Sequence, residues 1–134
     1  MRKDKDTPEK EEALPTRYGY SSSDWNAAKK EMRQILIDRA KVRRDISYSE
    51  LASKMQTIQL EPNSYALAEL LGEISTEENS LGRGMLSVIV VHKTGDKQPG
   101  KGFFELANEL GRDISDIDTC WIDELKRVYA DWSV

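Results

Sequence analysis

The chain has one cysteine, one histidine and two phenylalanines among its 134 residues. A single cysteine excludes an internal disulfide and a zinc site built from several cysteines. No apolar run approaches the roughly 18 residues that a membrane span requires. Nothing apolar follows Arg2 and Lys3, as it would in a signal peptide. These absences predict a cytoplasmic protein with no membrane partner.

Apolar residues make up 38% of the chain and charged residues 33%, which is a low and a high share respectively. Part of this charge lies in the opening MRKDKDTPEKEEAL, which has too little apolar surface to offset the entropy of becoming ordered. We therefore expect residues 1–22 to form a disordered charged tail. Residues 23–134 are expected to form a single globular domain, for which their number is sufficient.

Helical periodicity and capping signals recur along this domain. Apolar residues spaced three and four apart, together with capping and stop signals, predict helices over 25–43, 48–55, 64–80, 103–110 and 116–132. The second of these is marked by Ser47 and Glu50, which have the spacing of a capping box.

The longest apolar run is Met85–Val91, and its β-branched residues predict a buried strand. A strand needs a partner for its backbone groups. The candidates are Gln56–Leu60 and residues 97–102, the latter as the return of a short hairpin. The predicted fold class is α+β and mainly helical, a small winged-helix-like domain with one buried strand and a short hairpin.

The net charge of -4 is unevenly distributed and leaves two basic surfaces. The first follows the first helix and includes Lys29, Lys30, Arg33, Arg43 and Arg44. The second is the loop that carries His92, Lys93, Lys97 and Lys101. Such surfaces bind phosphates, although lysines are also typical of a solvated hairpin tip. For the first helix, contact with a partner and pairing with the acidic helices 64–80 and 116–132 both remain open.

Signals for cofactors and metals are sparse. Gly100-Lys101-Gly102 precedes a helix and offers backbone N–H groups to an anion, but it lacks the other residues of a phosphate-loop or dinucleotide fingerprint. Glu69, Glu73 and Glu77 line one helix face, a row that without other ligand types is typical of a solvated face. Cys120 lies at the edge of an apolar stripe, as a packed thiol does. No cofactor and no metal are expected.

From Ile46 to Phe104 the layout resembles the winged-helix domain of alkyltransferase-like DNA-binding proteins. The similar features are the Ile-Ser-Tyr-Ser-Glu-Leu-Ala entry, Leu71-Gly72 in the next helix, and Val90-Val91-His92-Lys93 followed by a glycine turn. The resemblance implies a winged helix that binds DNA. The family's Pro-Cys-His-Arg motif is absent, so alkyl transfer is not implied. The helix in the recognition position is acidic, so any DNA contact is expected through the wing and the first helix.

The leading expectation is a non-enzymatic intracellular binding or regulatory module that contacts nucleic acid or an acidic protein through residues 29–44 and 92–101. One alternative is a protein–protein adaptor that docks through its C-terminal helix, at Tyr129 or Trp132. The other is a small hydrolase-type enzyme in which His92, the sole histidine, works with Asp96 across a turn.

Overall fold

The chain folds as a set of helices around one buried segment. The computed structural model describes residues 17–95 and 97–133. Within them lie the helices α1 (Ser22–Lys41), α2 (Tyr48–Lys54), α3 (Tyr65–Ser80), α4 (Lys101–Glu109) and α5 (Ile117–Trp132), and the short strands β1 (Ile46–Ser47) and β2 (Val90–Val91). The prediction of a mainly helical α+β fold is confirmed. Among the described helices, none combines the length and the apolar character needed to cross a membrane.

Polar side chains begin four of these helices by accepting an otherwise unpaired backbone N–H. The capping residues are Ser21, Ser47, Ser64 and Asp116. Ser47 accepts the N–H of Glu50 at 3.1 Å, as predicted, but the Glu50 carboxylate binds Arg39 instead of completing a capping box. Helix α1 ends at Lys41, two residues before its predicted end, because Arg43 adopts a left-handed φ of 55°.

Residues 17–20 form a tight turn against α1. Arg17 and Tyr20 exchange two backbone hydrogen bonds of 3.0 and 2.9 Å. The Tyr18 ring stacks on the buried Trp25 with 5.9 Å between ring centroids. Residues 1–16 of the predicted tail lie outside the described residues, whereas residues 17–20 pack on the helical core.

The buried run Met85–Val91 is not a single strand, and that prediction is wrong. Leu86–Ile89 form a 3₁₀ helix, and only Val90–Val91 are extended. The run passes through the middle of the fold, where the 3₁₀ helix contacts α1, α3 and α5, and its side chains are buried. A segment enclosed on every side needs no apolar–polar alternation, so the sequence pattern does not distinguish a strand from a tight helical turn.

Strand β2 pairs with β1 and with neither predicted partner. The pairing is parallel, with Ile46 opposite Val90 and Ser47 opposite Val91. Gln56–Leu60 contain no strand, and the described residues at 97–102 contain none either. The loop after β2 is closed by one backbone hydrogen bond, from His92 N–H to the Gln98 carbonyl at 3.0 Å. The described residues therefore do not form the predicted hairpin.

Polar contacts fix α5 to the start of the buried segment. Gly84 N–H donates to Asp131 and Met85 N–H to Glu124, each at 2.7 Å. Arg112 also donates two hydrogen bonds to the buried Glu124 carboxylate, at 3.0 and 2.9 Å. Burial opposes the ionisation of Glu124, but these donors outweigh it and hold the pKa of the carboxyl below its usual value. These contacts hold the C-terminal helix α5 against the core.

Candidate functional site

Two basic residues of α1, Lys29 and Arg33, face α3. Lys29 Nζ lies 3.0 Å from Glu73 and 2.7 Å from Glu77. Arg33 bonds Glu77 and lies 3.1 Å from Glu78, which is buried. Burial opposes the ionisation of Glu73 and Glu77, but the hydrogen bonds they accept keep the pKa of both below its usual value. Lys29 and Arg33 therefore hold two helices together, which is the internal pairing that the sequence left open.

Two arginines near the C-terminal end of α1 also contact other parts of the protein. Arg39 bonds the Glu50 carboxylate at 2.6 Å and the Asp45 carbonyl at 2.8 Å. Arg43 donates to Ser133 at 3.2 Å, and its guanidinium lies 6.0 Å from the centre of the Tyr129 ring. The side chains that end α1 thus link it to α2 and α5.

Two exposed residues of the predicted basic surfaces lie on different helices. Lys30 is exposed on α1, and Lys101 is exposed in the first turn of α4, 3.8 Å from Glu105. Of the aromatic side chains proposed for an adaptor, Tyr129 lies under Arg43 and Trp132 lies under Arg83 at 5.1 Å. None of these four residues lines the cleft described next.

Arg44, His92, Lys93 and Lys97 come together around one cleft of about 340 Å³ beside the two strands. All four side chains are exposed. They come from two segments that the parallel pairing of β1 and β2 brings side by side, because Arg44 precedes β1 and His92 follows β2. The cleft is also lined by the acidic Asp45 and Glu50. The hydrogen bond from Arg39 to Glu50 lowers the pKa of that carboxyl, so it is a charged, paired group at neutral pH.

Tyr48 supports the base of the loop that follows β2. Its ring lies 5.2 Å from the His92 ring, and its hydroxyl accepts the Gly100 N–H at 2.8 Å. A side chain at Gly100 would place its Cβ 3.1 Å from that hydroxyl, so glycine allows the close approach. Burial raises the pKa of Tyr48. Because the Gly100 N–H is bound to Tyr48, it is not available to an anion as the sequence suggested.

His92 and Lys93 also line a second cleft, of about 370 Å³. Its walls are apolar at Tyr48 and Leu67, and polar at Ser49, Asn63 and Ser64. The sequence did not predict these residues as part of a site. The resemblance described above includes both the capped entry to α2 and the strand end at His92. This was the one signal in the sequence that the two segments belong to the same site. His92 and Lys93 therefore border two clefts of different character.

The structure gives little support to the remaining candidate metal-binding and catalytic residues. Among the described residues, no cluster of three or more acidic, cysteine or histidine side chains is arranged to hold a metal. Cys120 is buried, and burial raises the pKa of its thiol, as suits a packed side chain and not a nucleophile. Asp96, the proposed partner of His92 in catalysis, lies outside the described residues. Comparisons with protein-family models, curated proteins and solved structures find no match.

Proposed function

We propose that this chain is a non-enzymatic binding module that contacts nucleic acid through the cleft at Arg44, His92, Lys93 and Lys97. One observation carries the proposal: exposed basic side chains from two distant segments line the same cleft. The basic residues at 29 and 33 are excluded from the proposed surface because they pair with α3. The contact surface is therefore smaller than the two basic surfaces expected from the sequence.

Nucleic acid suits this surface better than an acidic protein does. Cations that line a groove are matched by the regularly spaced charges of a phosphate backbone, and each contact adds affinity that weakens with salt. The neighbouring cleft adds the Ser49 hydroxyl and the Asn63 amide, which suit sugar and phosphate oxygens. An acidic protein would require only the positive charge of the cleft and not these polar groups.

A winged-helix-like manner of binding is part of the proposal. Helices α2 and α3 precede β2, and the loop at residues 92–100 would serve as the wing. The acidic face of α3 does not conflict with this, because Glu73 and Glu77 point to α1 and bond Lys29. The wing and Arg44 would then follow the phosphate backbone, with α3 contributing no contact to base edges.

The test measures fluorescence anisotropy of labelled single-stranded and double-stranded oligonucleotides at several salt concentrations. We expect affinity to fall steeply with salt. Lys93→Ala, Lys97→Ala and Arg44→Ala should each weaken binding and lower the logarithmic salt slope by about 1. Lys126→Ala is the matched control, because Lys126 is exposed on α5 and lines neither cleft.

Binding that does not respond to salt, or that Lys126→Ala weakens as much as Lys93→Ala does, would refute the proposal. Polyglutamate as a competitor separates the two partner classes. If it displaces the oligonucleotide at equal charge concentration, the surface recognises charge only, and an acidic protein becomes the better assignment.

A further inference from the structure

His92 differs in side-chain chemistry from the other basic residues of this cleft. It is the only histidine in the chain, it is exposed, and together with Lys93 it lines both clefts. An imidazole changes charge between about pH 5 and pH 8, whereas lysine and arginine remain charged there. The charge of the cleft therefore depends on pH through one side chain.

Neighbouring residues contact both the backbone and the ring of His92. Its backbone N–H is bound to Gln98, and the ring lies against Tyr48. The Nε2 atom lies 3.6 Å from the position that a Cβ on Gly100 would occupy, so a side chain there would contact this edge of the ring. Gln98 is itself tied to Asp118 of α5 at 2.6 Å. The imidazole therefore lies at the edge of two clefts, where a bound anion can reach it.

The charged groups around the ring are of both signs. The cations that share the cleft with it are Arg39, Arg44, Lys93 and Lys97. The acidic groups are Asp45 and Glu50, and Glu50 is paired with Arg39; Asp96 of the same loop lies outside the described residues. A bound phosphate would add negative charge beside the ring and so favour the protonated imidazole. Protonation of the imidazole and binding of an anion should therefore support each other.

We propose that His92 is a proton-linked phosphate contact, so that nucleic-acid binding tightens as the pH falls through the range in which the imidazole takes up its proton. The inference rests on the proposed function and assigns to it a regulation by pH. Linkage requires the converse as well: binding near neutral pH should be accompanied by net uptake of protons from solution.

The experiment uses the full chain and a labelled oligonucleotide of mixed sequence at constant ionic strength, between about pH 5.5 and pH 8. Affinity should rise about tenfold toward the acidic end, the size expected of one added charge-assisted contact. His92→Gln should keep the weak affinity of the alkaline end at every pH, and His92→Lys should bind tightly throughout. Lys97→Ala is the control, because it should bind more weakly but keep the full pH dependence.

A second measurement uses the unaltered protein. Calorimetry near pH 6.5, in two buffers of different ionisation enthalpy, should show net proton uptake on binding. The inference is refuted if the unaltered protein binds with no pH dependence and no proton uptake, and the proposed function then stands. Unchanged pH dependence in a folded His92→Gln variant also refutes it and assigns the effect to another group. The absence of binding at every pH refutes the proposed function itself.

Discussion

Replacing Gly84 with alanine tests how closely the buried segment and α5 pack. A methyl group at this position would lie 2.9 Å from Cγ2 of Val128 and 3.2 Å from the backbone nitrogen of Val128. Val128 is fully buried, and a valine in a helix has one strongly preferred rotamer, so neither atom moves unless α5 shifts. Overpacking of this kind costs about 1–3 kcal/mol. We expect Gly84→Ala to lower the free energy of unfolding by that amount.

Gly102→Ala is the matched control for this prediction. It adds the same methyl group in the first turn of α4, where no atom lies within 4 Å. Alanine is favoured over glycine in a helix by about 0.5–1 kcal/mol, so this variant should be slightly more stable than the unaltered protein. Equilibrium unfolding in urea followed by circular dichroism measures the stability of both variants. In thermal unfolding, each kcal/mol of changed stability should shift Tm by about 4 °C. A neutral Gly84→Ala, or equal effects of the two variants, would refute the close packing of residue 84 on α5.

Three further predictions concern carboxylates that accept backbone N–H groups. Glu124→Ala leaves Arg112 and a backbone N–H without their partner and should cost about 3–5 kcal/mol in urea unfolding; stability equal to that of the exposed Glu105→Ala would contradict this. Glu31→Gln weakens the carboxylate that accepts the N–H groups of residues 56 and 57; it should cost about 1–2 kcal/mol and speed hydrogen exchange at those two amides. Burial opposes the ionisation of Glu31 and Glu124, but hydrogen bonds keep the pKa of each lowered. Their stabilising effect is therefore present above the unfolded value of about 4.3 and is lost as the pH falls through the folded value. Acid titration should show this loss, and Glu124→Gln should reduce it.

The helices could be predicted from the sequence because their signals are local. Ser47 and Ser64 accept N–H groups three residues further along the chain, so the sequence contains both partners within one turn. The end of α1 could not be predicted in the same way. Arg43 takes a left-handed conformation that usually calls for glycine, and nothing in its residue type indicates this.

The strand pairing and the cleft depend on contacts between distant segments, which periodicity does not reveal. Parallel strands require a long connection, and here α2 and α3 supply it between β1 and β2. From the sequence, Lys29 and Lys93 were equally good candidates for a basic binding surface. Which of them pairs internally depends on how α1 lies against α3, a property of the packed helices and not of either segment. Tyr48 was missed for the same reason, because its partners His92 and Gly100 are far along the chain.

The two-residue pairing of β1 and β2 has a kinetic consequence. Joining the strands closes a long loop, and the entropy of that closure must be offset before the pairing gains any free energy. Contacts within each helix form between near neighbours and carry no such cost. We therefore expect Ile46 and Val90 to meet late in folding, so that conservative substitutions there speed unfolding and leave the folding rate nearly unchanged. The final step of folding would then also be the step that brings Lys93 beside Arg44 and completes the cleft.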